Sequence, residues 1–209
     1  MKKNELLKWT LSNAFGLGIA FVVSLQTLMI LEYGPDTDRY WKFGQPLDYA
    51  SLSTYLYYLI SFIVGGAVFG WAQSLVLKTK NIKPLSWILA TVIGFTLIIL
   101  IDWPLIYTEN LGIIPGPVEP LIFTVGGCAF AGMIQILLLK RLNINNKKWF
   151  LMWIIGLIVG VLVSALFFMF FADMIGLNWP LEVFFSGFII AGVASLISGK
   201  TLFSVLSKP

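Results

Sequence analysis

The sequence predicts an all-α membrane protein, six transmembrane helices arranged as three helical hairpins that are pseudo-threefold about the membrane normal. Three observations predict it. The 209 residues are 58% apolar and 11% charged, where a soluble domain carries roughly a quarter charged residues, and the mean hydropathy is +0.89. Charged residues cut the chain into six long uncharged stretches and gather their basic members at alternate connections. Residues 65–100 also lie on residues 127–162 at a constant offset of 62, with 14 identities in 36 positions. Among them are Gly65/Gly127, Gly70/Gly132, Gln73/Gln135, Lys78/Lys140, Trp87/Trp149 and Gly94/Gly156. Chance apolar similarity matches Leu to Ile; it does not hold Gln, Lys, Trp and three glycines in register.

The spans follow in order. Stretches free of Asp, Glu, Lys and Arg cover 9–31, 49–77, 84–101, 120–139, 149–172 and 183–199, against the ~20 mostly apolar residues a transmembrane helix needs. The first follows Met1-Lys2-Lys3 but exceeds the ~7–15 residues of a signal-peptide core and lacks its small-residue exit, so it is expected to be a retained helix. The second is longer than required, and its polar start from Tyr49 to Thr54 is expected at the interface. The third and sixth are short and are expected to recruit flanking residues. Proline- and glycine-rich runs, including Ile114–Pro120 and Asn178–Glu182, are expected to form turns, and Tyr33, Trp103, Tyr107 and Trp179 stand where an interfacial aromatic belt falls.

These six spans form one transmembrane domain, 1–209, with hairpins at about 7–78, 84–140 and 148–203. The repeat reaches the terminal hairpins: Gly187, Gly192 and Lys200 lie 122 residues after Gly65, Gly70 and Lys78, with Ser195 at the place of Gln73. Trp9 and Gly16 reproduce the spacing of Trp87/Gly94 and Trp149/Gly156. A two-helix unit returns the chain to its starting side, so successive copies share one orientation and relate about an axis along the membrane normal. The interval from Trp9 to Lys78 is 69 residues against 53 and 51 in the other hairpins, which predicts an outer elaboration around Asp36 to Asp48.

Charge placement predicts the orientation. Twelve of the 14 Lys and Arg residues fall in the N-terminal tail, the second-to-third connection, the fourth-to-fifth connection and the C-terminal tail, whereas nine of the ten acids occupy the opposite side. The positive-inside rule then puts both termini on the cytoplasmic side of the membrane. The net charge of +4 tracks topology and anionic headgroups, so the lipid bilayer is the expected partner, with another membrane protein subunit as a further one, and nucleic acid is not.

The chain has no histidine and a single cysteine, Cys128, which removes Ser-His and Cys-His nucleophile pairs and the usual zinc sites. No span carries a charge at its middle, where proton pumps and voltage sensors need one. Accordingly no catalytic, cofactor or metal residues are expected, and Cys128 reads as a packing residue.

Two residue sets remain. In G-x4-G-x2-Q the three positions lie at about 0°, 140° and 80° round a helix, so the glycines are expected to form a close-approach face with the glutamine between them. Gln73, Gln135 and Ser195 read either as interhelical hydrogen bonds that fix packing or as the lining of a common polar spot. Glu32, Glu109 and Asp173 follow the repeat tryptophans by 23, 22 and 24 residues and read either as a carboxylate ring that attracts cations or as solvated surface groups.

The motif Gly66-Ala-Val-Phe-Gly70-Trp-Ala-Gln73-Ser-Leu-Val-Leu-Lys78, followed by Trp87 and Gly94, and its second copy from Gln135 to Lys140 with Trp149 and Gly156, resemble a family of uncharacterised bacterial multi-pass membrane proteins. Those proteins repeat GxxxGxxQ(W)xxL(R/K) hairpins, each with a following WxxxxxxG helix. Ser74 and Ile136 stand where that family tends to carry Trp. The resemblance covers helices two to five well and the end helices faintly, and it implies a membrane location without an activity or site residues. The expected function is a polytopic membrane protein without catalytic activity: a small transporter, channel or membrane solute-binding subunit. The alternative is a membrane scaffold, assembly or immunity-type protein acting through helix packing and outer-loop contacts. A polar axial cavity favours the first, a dry core of Phe, Leu and Ile the second.

Overall fold

The computed structural model describes residues 3–33, 52–78, 82–110, 119–141, 147–175 and 179–206, and all six segments are helical. They are α1 (Lys3–Tyr33), α2 (Leu52–Leu77), α3 (Pro84–Asn110), α4 (Glu119–Arg141), α5 (Lys147–Ile175) and α6 (Trp179–Leu206). Helices pair every backbone group within the segment, which an apolar solvent demands. Among the described residues, Asn4–Leu31, Tyr55–Leu77, Lys147–Phe170 and Leu181–Ser204 are long and apolar enough to cross a membrane, and α3 carries a shorter apolar run over Pro84–Ile99.

Helix ends follow local chemistry. Pro84 opens α3, where its fixed φ suits the first turn and its missing N–H leaves nothing unpaired, and the Trp87 amide closes that turn on the Lys83 carbonyl at 3.2 Å. The helix then recruits residues beyond its uncharged stretch, past Asp102 and Trp103-Pro104 to Asn110. The turn expected over Asn178–Glu182 is corrected: α6 begins at Trp179, because Pro180 in a first turn costs the helix no hydrogen bond. Glu182 in that turn and Lys140 and Arg141 in the last turn of α4 complement the helix dipoles. The elaboration expected around Asp36 to Asp48, and the side chains of Tyr33, Trp103, Tyr107 and Trp179, lie outside the described residues.

Each helix packs on the next along the chain and α6 closes against α1, with α4 and α5 sharing the slimmest contact. Two apolar layers fill the ring. One joins Trp9, Leu77, Trp87, Leu139, Trp149 and Phe203, which brings the start of each odd helix and the finish of each even helix to one end, here called the tryptophan end. Lys8, Lys78, Lys83, Lys140, Arg141, Lys147, Lys148 and Lys200 are exposed around it. The second layer is central and draws on every helix, with Leu17, Phe69, Phe95, Cys128, Trp153 and Ile190 among its members.

Glycines set the helix spacing, but not as one face. A Cβ on Gly65 would meet Ser24 of α1, whereas one on Gly70 would meet Ile88 and Thr91 of α3. In α4, Gly127 faces α3 and Gly132 faces α5. Positions 140° apart are too divergent for one neighbour, so in α2 and α4 the two glycines admit a helix on either side and aim the glutamine between them inward. The tightest approaches to a neighbouring backbone involve the odd-helix glycines: Gly94 lies against the Ala131 backbone, and a Cβ on Gly156 would sit 2.6 Å from Ala194 Cα.

Candidate functional site

An amide buried away from water needs partners for its polar atoms, and at the tryptophan end Gln73 has them at both ends and Gln135 at its Nε2. Gln73 of α2 is 1% exposed; its Nε2 donates to Asn13 Oδ1 at 2.7 Å, and its Oε1 accepts from Trp87 Nε1 at 2.8 Å. Gln135 Nε2 of α4 donates to the same Gln73 Oε1 and to Thr91 Oγ1, both at 2.9 Å. The outer members are anchored in turn to their own helices, Asn13 Nδ2 to the Trp9 carbonyl at 2.8 Å and Thr91 Oγ1 to the Trp87 carbonyl at 2.9 Å. The network thus crosses α1, α2, α3 and α4 and joins Gln73 to Gln135 directly.

Ser195 is fully buried on α6, yet its Oγ has no hydrogen-bond partner among the described residues, and the same holds for Trp9 Nε1 and Thr10 Oγ1 of α1. The two helices are in contact there, since Trp9 packs edge-on against Phe203 with ring centroids 6.1 Å apart and a Cβ on Gly199 would lie 3.5 Å from Trp9 Nε1. Glu32, Glu109 and Asp173 lie in α1, α3 and α5, and their side chains are outside the described residues. Cys128 is buried and free in the central layer, its carbonyl accepting Trp153 Nε1 at 3.2 Å.

Beyond the central layer, away from the tryptophan end, the bundle opens into a cavity of about 450 Å³ between α1, α2, α5 and α6. Phe21, Leu25, Phe62, Phe95, Phe168 and Ile190 give it an apolar wall, and Tyr58 and four serines, Ser24, Ser61, Ser164 and Ser186, interrupt that wall. Among the described residues, no charged side chain contributes to its lining. Its floor is the central layer, for Ala20, Phe95 and Ile190 belong to both. Ser24 Oγ donates to the Ser61 carbonyl and Ser61 Oγ to the Tyr58 carbonyl, each at 2.8 Å.

Sequence reasoning placed the glutamines but missed Asn13, Thr91 and the cavity. Asn13 and Thr91 carry a readable signal, because each follows a repeat tryptophan by four residues, one helical turn; their differing identities hid it. The cavity carries none, since its aromatic wall reads like any core or lipid-facing residue. The chain matches no protein-family model, no curated protein and no solved structure.

Proposed function

We propose that this chain is a non-catalytic, polytopic membrane protein that binds a small molecule in the half of its bundle opposite the termini, a membrane solute-binding role and not that of an open channel. The observation that carries this reading is the 450 Å³ cavity floored by a layer to which all six helices contribute. Small-molecule sites are concave, mostly apolar and about 300–1,000 Å³ in volume, with a few convergent polar groups. An axial pore would need a wetted path past the tryptophans, and that level is occupied by Trp9, Trp87 and Trp149, each nearly fully buried. Six spans are part of the proposal, with α3 and α4 crossing beside the other four. So is the pseudo-threefold relation of three hairpins, supported by the closed order of the ring and by the meeting of three repeat tryptophans in one layer. Cytoplasmic termini are also part of the proposal, supported by the basic residues exposed at the tryptophan end, and the bacterial inner membrane rests on the resemblance of the repeat motif alone.

Photolabelling of the purified protein in nanodiscs with an uncharged aryl diazirine tests the binding reading. Saturable adducts are expected on peptides holding Phe62 and Phe168, and they should disappear in Ala165→Trp, which fills the cavity from its lining. Adducts confined to lipid-exposed positions such as Leu162, Met169 and Phe170, rising linearly with probe and indifferent to Ala165→Trp, would leave the scaffold reading in possession. For orientation, an impermeant thiol reagent should fail to label Asn145→Cys from outside intact cells in a Cys128→Ala background; labelling would invert the topology.

A further inference from the structure

The class of molecule that suits the cavity can be read from which of its polar atoms are already committed. We infer that the cavity takes a neutral, largely apolar, lipid-like molecule carrying a single oxygen function, alcohol or carbonyl, which Ser164 and Ser186 receive. The inference rests on the binding reading above. Three observations lead to it. Among the described residues the wall holds no Lys, Arg, Asp or Glu, and an ion taken from water into such surroundings without a partner is neutralised or excluded. A sugar or other polyhydroxylated solute would strand most of its hydroxyls, each buried polar group left unpaired costing about 1–3 kcal/mol.

The four serines that line the wall fall into two pairs. On α1 and α2 the hydroxyl protons of Ser24 and Ser61 are held by backbone carbonyls. On α5 and α6, Ser164 and Ser186 form no hydrogen bond with any described residue, although Ser164 is only 5% exposed. A serine inside a helix ordinarily returns its proton to its own backbone, as Ser198 does to the Ala194 carbonyl at 2.7 Å. Ser164 does not, and it faces the cavity. Of the four serines, the pair on α1 and α2 has its protons committed, and the pair on α5 and α6 offers hydroxyls that give and accept. An apolar body with one oxygen function matches that division.

Three photoreactive probes of equal chain length separate the possibilities: a long-chain alcohol, the corresponding carboxylic acid and the corresponding hydrocarbon, each with a mid-chain diazirine, titrated against the protein in nanodiscs. Saturable labelling of α5 and α6 peptides is expected for the alcohol, with half-saturation about three- to tenfold below that of the hydrocarbon, the worth of one neutral hydrogen bond. The ionised acid should bind more weakly than either. Ser164→Ala combined with Ser186→Ala should erase the preference for alcohol over hydrocarbon in a protein that still folds and still labels with the hydrocarbon. If alcohol and hydrocarbon bind alike and the double variant changes neither, or if the acid binds best, the inference is overturned and the binding reading stands. If none of the three labels the cavity saturably, the binding reading itself fails.

Discussion

The two halves of this bundle are built from the same apolar alphabet and do opposite things with it. At the tryptophan end the large side chains face one another, Trp87 and Trp149 with ring centroids 6.4 Å apart and Trp149 stacked on Trp153 at 6.3 Å, and hydrogen-bonded amides link α1, α2, α3 and α4 beside them. At the other end Phe62, Phe95 and Phe168 line open space. The difference lies in where small residues sit. Gly94, Gly156 and Gly160 seat helices directly on neighbouring backbones, whereas beyond them the small residues of α1, α5 and α6, such as Ser24, Ser164 and Ser186, have no large neighbour filling the volume they leave. In lipid, burial of apolar surface gives little drive for association, so packing and polar contacts must fix the closed half, and the other half is free to keep a cavity.

The most severe way to break that contrast is to part the backbones in the central layer. A Cβ at Gly94 would fall on the Ala131 backbone, which cannot swing aside as a side chain can. Gly94→Ala should therefore exceed the ordinary overpacking cost of about 1–3 kcal/mol and leave little folded protein after detergent extraction. Gly192→Ala is the matched control, because its added Cβ would stand 3.5 Å from Ala14 Cβ, ordinary contact. Size-exclusion profiles of the two variants give the comparison; equal yields would mean that helix approach at Gly94 does not hold the closed half together.

Removing the amide at the network's centre comes next. Gln73→Leu strips the only described partner from Trp87 Nε1 and the described donor from Asn13 Oδ1, and two buried groups left unpaired cost about 1–3 kcal/mol each. Gln135→Leu strands neither partner, for Gln73 Oε1 keeps Trp87 and Thr91 Oγ1 keeps the Trp87 carbonyl. Its loss should be nearer the ~0.6 kcal/mol of a typical interhelical hydrogen bond. Unfolding in mixed micelles should rank the variants in that order, with probe binding in the cavity unchanged per folded molecule. Equal losses would show that the network is not centred on Gln73.

How much of this was legible follows from what each residue type can signal. The uncharged stretches located the helices because an apolar segment of that length has few other fates, and Gln73, Gln135 and the repeat tryptophans stood out because such residues are costly to bury without a purpose. Direction was not legible: Gly65 and Gly70 share a motif yet serve different neighbours, since spacing gives an angle round the helix and not the position of the next helix. The cavity was invisible for a related reason. Phe168 and Phe170 are two residues apart and equally apolar, but only the first lines the cavity, the second being exposed on the outer surface.

The smallest effect concerns the corner of the tryptophan end that the network does not reach. The 122-residue offset pairs Ser195 with Gln73, and Trp9 stands to α6 as Trp87 stands to α2. The Trp87 indole nevertheless has its acceptor at 2.8 Å, while Trp9 Nε1 and Ser195 Oγ have none among the described residues. Ser195→Gln extends an amide toward the Trp9 indole and should raise the unfolding midpoint slightly, by the ~1 kcal/mol that a net hydrogen bond contributes, less whatever the added volume costs in a fully buried position. Trp9→Phe, which deletes the indole donor, should cancel that gain. A fall in stability that Trp9→Phe does not alter would mean that Ser195 and Trp9 do not stand in the relation of Gln73 and Trp87, and the proposed threefold repeat would then stop short of the closing contact between α6 and α1.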